Sequence, residues 1–311
     1  MVRLIATRLL AGLVTLLAAS IIIFATMELL PGDAATAALG QQAADPGALA
    51  ALRAEYGLDR PAVVRYFEWV GGAVRFDFGR SFANQLPVTE LISDRLERTA
   101  VLLLVSLLLM LPFALLIGVV SALRRGTVVD GSLQVFTLIM ASLPSFVVGI
   151  VLILVFSFWL GVLPAVSIGI SAEALVLPTL TLVLGWMPFT ARMVRAGVVE
   201  VLESDYVQLA RLKGMPERRV IRGHVLPNAL VPAIQAFALT AASMPAGIVI
   251  VEYLFSYQGI GDFLIQAVQS RDTYSVEAIT LILVAVYVVA NLLADIATIM
   301  LTPRLRTETV G

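Results

Sequence analysis

Long uncharged apolar runs alternate with short charged stretches along the whole chain. Leu9–Met27 and Thr99–Leu123 carry no charge, and the uncharged run Gly131–Ala172 is far longer than one helix needs. A spanning helix requires about 20 mostly apolar residues to cross ~30 Å of hydrocarbon. The breaks Gly161-Val-Leu-Pro164 and Gly169-Ile-Ser171 therefore end a span near residue 160. Ala174–Ala191 is the next and shortest candidate. Gly223–Val251 has no charged side chain besides His224, and Ala278–Ala294 continues past Asp295 to Leu301. The pattern predicts an all-α membrane protein with six transmembrane helices, at roughly 9–30, 99–123, 132–160, 174–195, 229–254 and 276–301.

Charge orients these spans. Arg3 and Arg8 precede the first helix, Arg124 and Arg125 follow the second, and Arg304 and Arg306 close the chain. Arg192, Arg195, Arg211, Lys213, Arg218, Arg219 and Arg222 fill the stretch between the fourth and fifth. The alternate loops hold no cation at 161–173 and only Arg271 at 255–275. The positive-inside rule then places both termini and the 196–228 loop in the cytoplasm. Segment 31–98 is long enough to be translocated regardless of charge and is expected to be extracytoplasmic. Its stretch Ala48–Tyr56 reads as a short helix ended by Gly57, and Val63–Val70 as another stopped by Gly71-Gly72. Its aromatics Tyr56, Tyr66, Phe67, Trp69, Phe76, Phe78 and Phe82 suit a cap on the membrane surface, a docking face for an external partner, or both. A cleaved signal peptide with a site at Ala35-Thr-Ala37 competes with an uncleaved anchor. Leu9–Met27 exceeds the ~7–15 residues of a signal core, which favours the anchor.

Composition agrees and then excludes. The 311 residues are 59% hydrophobic and 14% charged, with mean hydropathy +0.96. That leaves too few polar side chains to cover a water-soluble globule. Net charge of −1 gives no reason to expect nucleic acid. Zero cysteines rule out thiol nucleophiles and cysteine-ligated metals, and the lone His224 rules out an HExxH zinc site. The only lysine, Lys213, follows Leu212 and precedes Gly214, so no Gly-Lys-Ser/Thr phosphate loop exists. Any ATP used by the system must be bound by another subunit.

Ionisable groups inside a bilayer are costly, so each invites a functional reading. Glu28, Glu252 and Asp295 sit near span ends, and Asn291 lies inside the last span. Capping or pairing with a neighbouring helix is the simpler role for the acids. Glu252 and Asn291 remain weak candidates for contact with a solute. Pro112, Pro144, Pro178, Pro188, Pro232 and Pro245 interrupt spans, as in bundles that re-satisfy broken backbone internally. Small residues from Ala238 to Gly247 permit close helix packing.

The cytoplasmic loop is the most informative stretch. Asp205 with Gln208 three residues later resembles a capping box. Tyr206, Leu209, Ala210 and Lys213 then share a face, Gly214 supplies a C-terminal cap, and Pro216 suits the first turn of a second helix. Two short capped helices hinged at a glycine form a knob that a mere connector would not need. The spacing also resembles the EAA loop of ABC-importer permeases: Glu-Ala-Ala, three residues, Gly, nine residues, Ile-x-Leu-Pro. Gln208-Leu209-Ala210, Gly214 and His224-Val225-Leu226-Pro227 stand at those positions. Gln for Glu, Leu for Ala and His for Ile depart from the pattern.

Further stretches resemble the dipeptide/oligopeptide/nickel permease family. They include Leu30-Pro31-Gly32-Asp33, Tyr56-Gly57-Leu58-Asp59-Arg60-Pro61, Phe76-Asp77-Phe78-Gly79-Arg80-Ser81, where Phe76 stands in place of the usual Gly, and Leu143-Pro144-Ser145-Phe146. Val251-Glu252-Tyr253-Leu254-Phe255-Ser256 with Gly259-Ile260-Gly261, Arg271-Asp272 and Thr302-Pro303-Arg304-Leu305-Arg306 complete the series. Tyr257-Gln258 replaces the usual Trp-Pro.

The resemblance implies a type I ABC-importer permease fold. Its divisions are an N-terminal helix (1–30), an extracytoplasmic segment (31–98), a permease core (99–303) and a cytoplasmic tail (304–311). It further implies a transport subunit without catalysis or cofactor of its own, in a bacterial-type cytoplasmic membrane. The implied partners are membrane lipid, a second homologous permease, two ABC ATPase subunits that bind ATP, and an extracytoplasmic solute-binding protein. Coupling to the ATPases is expected through Asp205, Tyr206, Gln208, Ala210, Arg211, Lys213 and Gly214. The substrate implied is a di- or oligopeptide, with nickel or another small solute as the alternative. A six-span ion-coupled secondary transporter is the reading from a different class. The missing intramembrane charge pairs and the elaborate knob argue against it.

Overall fold

The computed structural model describes residues 2–30, 32–39 and 45–301. Pro31, the closing Thr302–Arg306 motif and the 304–311 tail lie outside the described residues. Five helical runs are long and apolar enough to cross a membrane: α1 (Val2–Leu29, apolar from Ala6), α5 (Val88–Leu123), α8 (Ala172–Leu202), the run Glu217–Leu254, and α13 (Thr273–Leu301). The 132–160 stretch, expected as one span, is a bent pair. Here α6 (Val128–Ser142) and α7 (Ser145–Leu152, continuing as a π-helix to Trp159) meet at 107°. Pro144 causes the break, since it lacks an N–H and holds Leu143 extended at φ −86°, ψ 132°. The other span prolines, Pro112, Pro178, Pro188, Pro232 and Pro245, stay within continuous helices.

Boundaries move outward from those expected. Pro87 starts α5, so the charged stretch Glu90–Arg98 extends the second span out of the bilayer. Ser171 caps α8, its Oγ accepting from the Ala174 N–H at 3.1 Å. The fifth span begins beyond the bilayer at α10 (Glu217–Val220). It passes through one wide π-turn, Ile221–Val225, and continues as α11 (Leu226–Leu254).

The bundle core lies where α5, α8 and α11 cross, around Leu102, Met110, Leu177, Leu182, Met187, Met244, Ile248 and Val251. Small residues set the approach. A Cβ on Gly118 would sit 2.6 Å from the Ala191 carbonyl oxygen, and Thr190 and Thr240 share a hydroxyl hydrogen bond of 3.0 Å. In lipid such packing and interhelical bonds replace the hydrophobic drive. Thr240 and Gly247 of the small-residue stretch on α11 thus face α8 of the same chain, at Thr190 and Trp186.

Segment 31–98 carries α2 (Ala34–Leu39), α3 (Pro46–Glu55) and α4 (Ala62–Ala73). The sequence reading missed α2. It also ended α4 too early, because Gly71 and Gly72 do not stop it. Gly72 is required for space instead: a Cβ there would lie 2.6 Å from the Asp77 carbonyl oxygen. The aromatics divide. Tyr56, Phe82 and Tyr274 stack in series, at 4.4 and 4.9 Å, and Trp69 and Phe78 are buried. Phe67 and Phe76 are largely exposed.

Candidate functional site

Of the two short helices expected in the 196–228 loop, only the first stands alone: α10 runs on through the π-turn into the fifth span, and Pro216 is its N-cap rather than a first-turn residue. Helix α9 spans Asp205–Leu212, and its N-cap is Ser204, which makes no side-chain cap bond. Asp205 lies in the first turn, where an acid still opposes the positive helix end. Gln208 donates instead to the Glu203 carbonyl oxygen, at 3.1 Å. No capping box forms, because the helix begins one residue before the sequence reading placed it. Gly214 turns the chain at φ +75°, a conformation that costs any side-chain-bearing residue energy. Across that turn Arg211 Nη2 donates to Glu217 at 2.6 Å, a bond that raises the Arg211 pKa.

The face assignment also changes. Val207 and Ala210 are buried against Ala122 of α5, Val194 and Val198 of α8, and Val220, Val225, Ala229 and Ala233 of the fifth span. Tyr206, Leu209 and Leu212 stand exposed, and Lys213 is exposed beside Gly214. Thus α9 packs one face against α8 and the head of the fifth span, within a buried cluster that Ala122 of α5 joins, and offers an apolar stripe on the other. Of the expected set, Ala210 packs inward, while Asp205, Gln208 and Arg211 make or border the turns.

A polar network that sequence reasoning missed braces this end. Arg195 Nη2 donates to Asp130 at 2.9 Å, Ser121 Oγ donates to the same carboxylate at 2.5 Å, and the Gly126 N–H donates at 3.1 Å. The network ties α5, α6 and α8 together. An ion pair of Arg125 with Glu203 adds an exposed tie.

At the opposite end of the bundle Glu252 is fully buried. It accepts from Thr99 Oγ1 at 2.6 Å, the Gly261 N–H at 2.7 Å and the Asp262 N–H at 3.3 Å. Thr99 Oγ1 in turn accepts from the Ile260 N–H at 2.9 Å. This knot folds α12 (Ile260–Gln269), absent from the sequence reading, back against the bundle. Gly259 and Gly261 leave no room for a Cβ beside the Glu252 carboxylate. Tyr257 donates to the Arg98 carbonyl oxygen at 2.8 Å. Burial and then the Glu252 charge push its hydroxyl pKa up to about 12. Asp272 fastens segment 31–98, accepting from Ser81 Oγ at 2.5 Å and the Phe82 N–H at 3.0 Å. Asn291 is half-buried on α13 and donates only to the Tyr287 carbonyl oxygen, at 2.9 Å, among the bonds described. Glu28 pairs with Arg65 at 2.6 Å and Asp295 with Arg8 at 2.9 Å, the pairing role expected of span-end acids.

Residues 114–307 match the family of the binding-protein-dependent transport system inner membrane component. Residues 1–103 match the N-terminal family of such membrane components. The chain is 34% identical over 306 residues to the probable peptide ABC transporter permease protein y4tP of Sinorhizobium fredii, covering 96% of this chain and 97% of that one. It is 33% identical over 313 residues to a putative peptide transport system permease protein of Brucella abortus, covering 98% and 99%. It is 35% identical over 312 residues to the oligopeptide transport system permease protein AppB of Bacillus subtilis, covering 96% and 97%. The chain belongs to this family of binding-protein-dependent ABC permeases. It is a multi-pass membrane protein with the type I importer permease fold, and a transport subunit of an ABC complex.

Proposed function

We propose that this chain is one permease of an ATP-driven importer of di- or oligopeptides in the cytoplasmic membrane, with both termini inside. It would line half of the pathway, beside a second related permease. Two ATPase subunits would bind and hydrolyse ATP, and an external binding protein would deliver the solute. The observation that carries this reading is α9, which buries Val207 and Ala210 among three spans while exposing Tyr206, Leu209 and Leu212. A helix so held transmits a push from a partner to the span ends, because packed side chains deform little. The peptide assignment draws its support from relatives named as peptide and oligopeptide permeases.

The test is co-purification of the ATPase subunits with Leu209→Asp, which places a charge on the exposed stripe and leaves the buried face intact. Loss of the ATPases with normal membrane insertion is expected. Full retention and full transport would remove α9 as the coupling element. The chain alone, lacking a phosphate loop, should hydrolyse no ATP above background.

A further inference from the structure

A cavity of about 590 Å³ opens at the external end of the bundle, between α7, the last turns of α11, and α12. That is within the roughly 300–1,000 Å³ typical of small-molecule sites. Phe146, Ile250 and Tyr253 form its apolar wall and are 44%, 45% and 48% exposed. Gln258, Asp262 and Gln266 supply polar groups. Asp262 is only 5% exposed. Gln266 Nε2 donates to its Oδ2 at 2.7 Å, and Oδ1 has no hydrogen-bond partner among the bonds described. No cation lies within ion-pair distance of Asp262 among the described residues. The nearby Arg95 guanidinium lies over the Phe263 ring, 4.4 Å from its centroid, with its Nη1 buried and unbonded, and Arg98 donates to Gln258 Oε1. Burial raises the Asp262 pKa and the Arg95 charge opposes the rise. Ser256, also on the cavity wall, is held at φ +50°, a strained conformation of the kind concentrated at ligand sites.

We propose that this cavity is a solute subsite at the external mouth of the pathway, where Asp262 receives the terminal ammonium of a short peptide. Gln258 and Gln266 face its amide groups, and Phe146 and Tyr253 its side chains. A half-satisfied carboxylate at the edge of an apolar wall selects a cation joined to an uncharged body, which is the chemistry of a peptide amino terminus. Glu252 is then a positioning residue. Its carboxylate holds the N–H groups of Gly261 and Asp262, and so fixes where Asp262 points. The inference deepens the peptide reading above and rests on it for the substrate class.

The chain has no cysteine, so single cysteines can be read in this subunit without background. In the assembled transporter, Ile250→Cys on the cavity wall is compared with Ala83→Cys, exposed on the external segment. Each is labelled with a cationic and an anionic methanethiosulfonate reagent. The cation-to-anion rate ratio should be at least fivefold higher at Ile250→Cys, because an acid in a low-dielectric cleft concentrates cations. Adding Asp262→Asn should abolish that excess. Tri-alanine supplied with the loaded binding protein and ATP should slow labelling at Ile250→Cys and leave Ala83→Cys unchanged. Equal ratios at the two positions would overturn the subsite even if the Asp262 variant failed to assemble. Unslowed labelling in a complex that does import tri-alanine would overturn it as a peptide site. Failure of the unmodified complex to import any tri-alanine would instead overturn the peptide reading and the substrate class inferred here.

Discussion

Arg195 on α8 and Asp130 on α6 meet at 2.9 Å, and the pair closes the end of the bundle where α9 docks. Asp130 is buried and Arg195 partly so. Removing one member leaves the other charge without its partner, a loss of about 3–5 kcal/mol for buried pairs. Arg195→Leu or Asp130→Leu alone should sharply lower the melting temperature of the purified protein. The double variant should recover part of the loss, since no orphan charge remains. A double variant no better than the sum of the singles would mean the two residues act independently.

Glu252 and Gly259 make the second prediction. A Cβ on Gly259 would collide with the Glu252 carboxylate, which is already held by Thr99 and two backbone N–H groups. Gly259→Ala must push α12 off the bundle. By contrast, Gly126→Ala meets open space and pays only for its positive φ. The yield of folded protein should fall several-fold more in Gly259→Ala than in Gly126→Ala. Thr99→Val should fall between them: it strands the Ile260 N–H, at a cost of about 1–3 kcal/mol. Equal yields for the two glycine variants would show that the knot is slack.

The first helix should be retained in the mature protein. Gly12 lets α1 approach α13 so closely that a Cβ would lie 2.7 Å from Val288. The Arg8–Asp295 pair, the Ser20–Tyr66 hydroxyl bond of 2.9 Å and the Glu28–Arg65 pair hold the same helix along its length. Cleavage after Ala37 would discard all of these contacts. Intact-mass measurement of membrane-purified protein should therefore find residues 1–37. A mature start at Ala38 would support the signal-peptide alternative instead.

The spans were legible because a long apolar run in lipid has one low-cost solution, a helix that satisfies its own backbone. The knob was legible because Gly214 and Pro216 are local signals, readable without knowing the fold. The interior was not. Asp130 reaches Arg195 across 65 residues and Ser81 reaches Asp272 across 191, distances at which spacing carries no information. Helix α12 was missed because its run Ile260–Gln269 is short and sits in a loop identified only by its low positive charge. The buried face of α9 could not be assigned for a related reason. Tyr206, Leu209, Ala210 and Lys213 give a plausible stripe, yet only the three-span pocket decides that the smaller Val207 and Ala210 fill it.

Gly214 carries the last prediction. Its φ of +75° lies in the left-handed region, and nothing lies within 4 Å of where a Cβ would be. A substitution there meets no clash. The penalty is conformational alone, about 1 kcal/mol or more for a residue with a side chain, and larger for a β-branched one. That strain is relieved locally, by rotating α9 against α10 and stretching the exposed Arg211–Glu217 pair, while the spans keep their own packing. Gly214→Val should therefore insert and express normally but lose much of its ATPase retention and transport. Gly214→Ala should show a milder form of the same defect. Asp205→Lys should act in the same direction and more weakly, through a cation at a helix N-terminus. Tyr66→Phe, which removes one hydroxyl bond in the external segment, serves as the control and should retain the ATPases. The measurement is ATPase co-purification beside solute uptake in the same membranes. Normal values of both for Gly214→Val would mean that the knob only connects two spans, and the coupling role would have to move elsewhere on the cytoplasmic face.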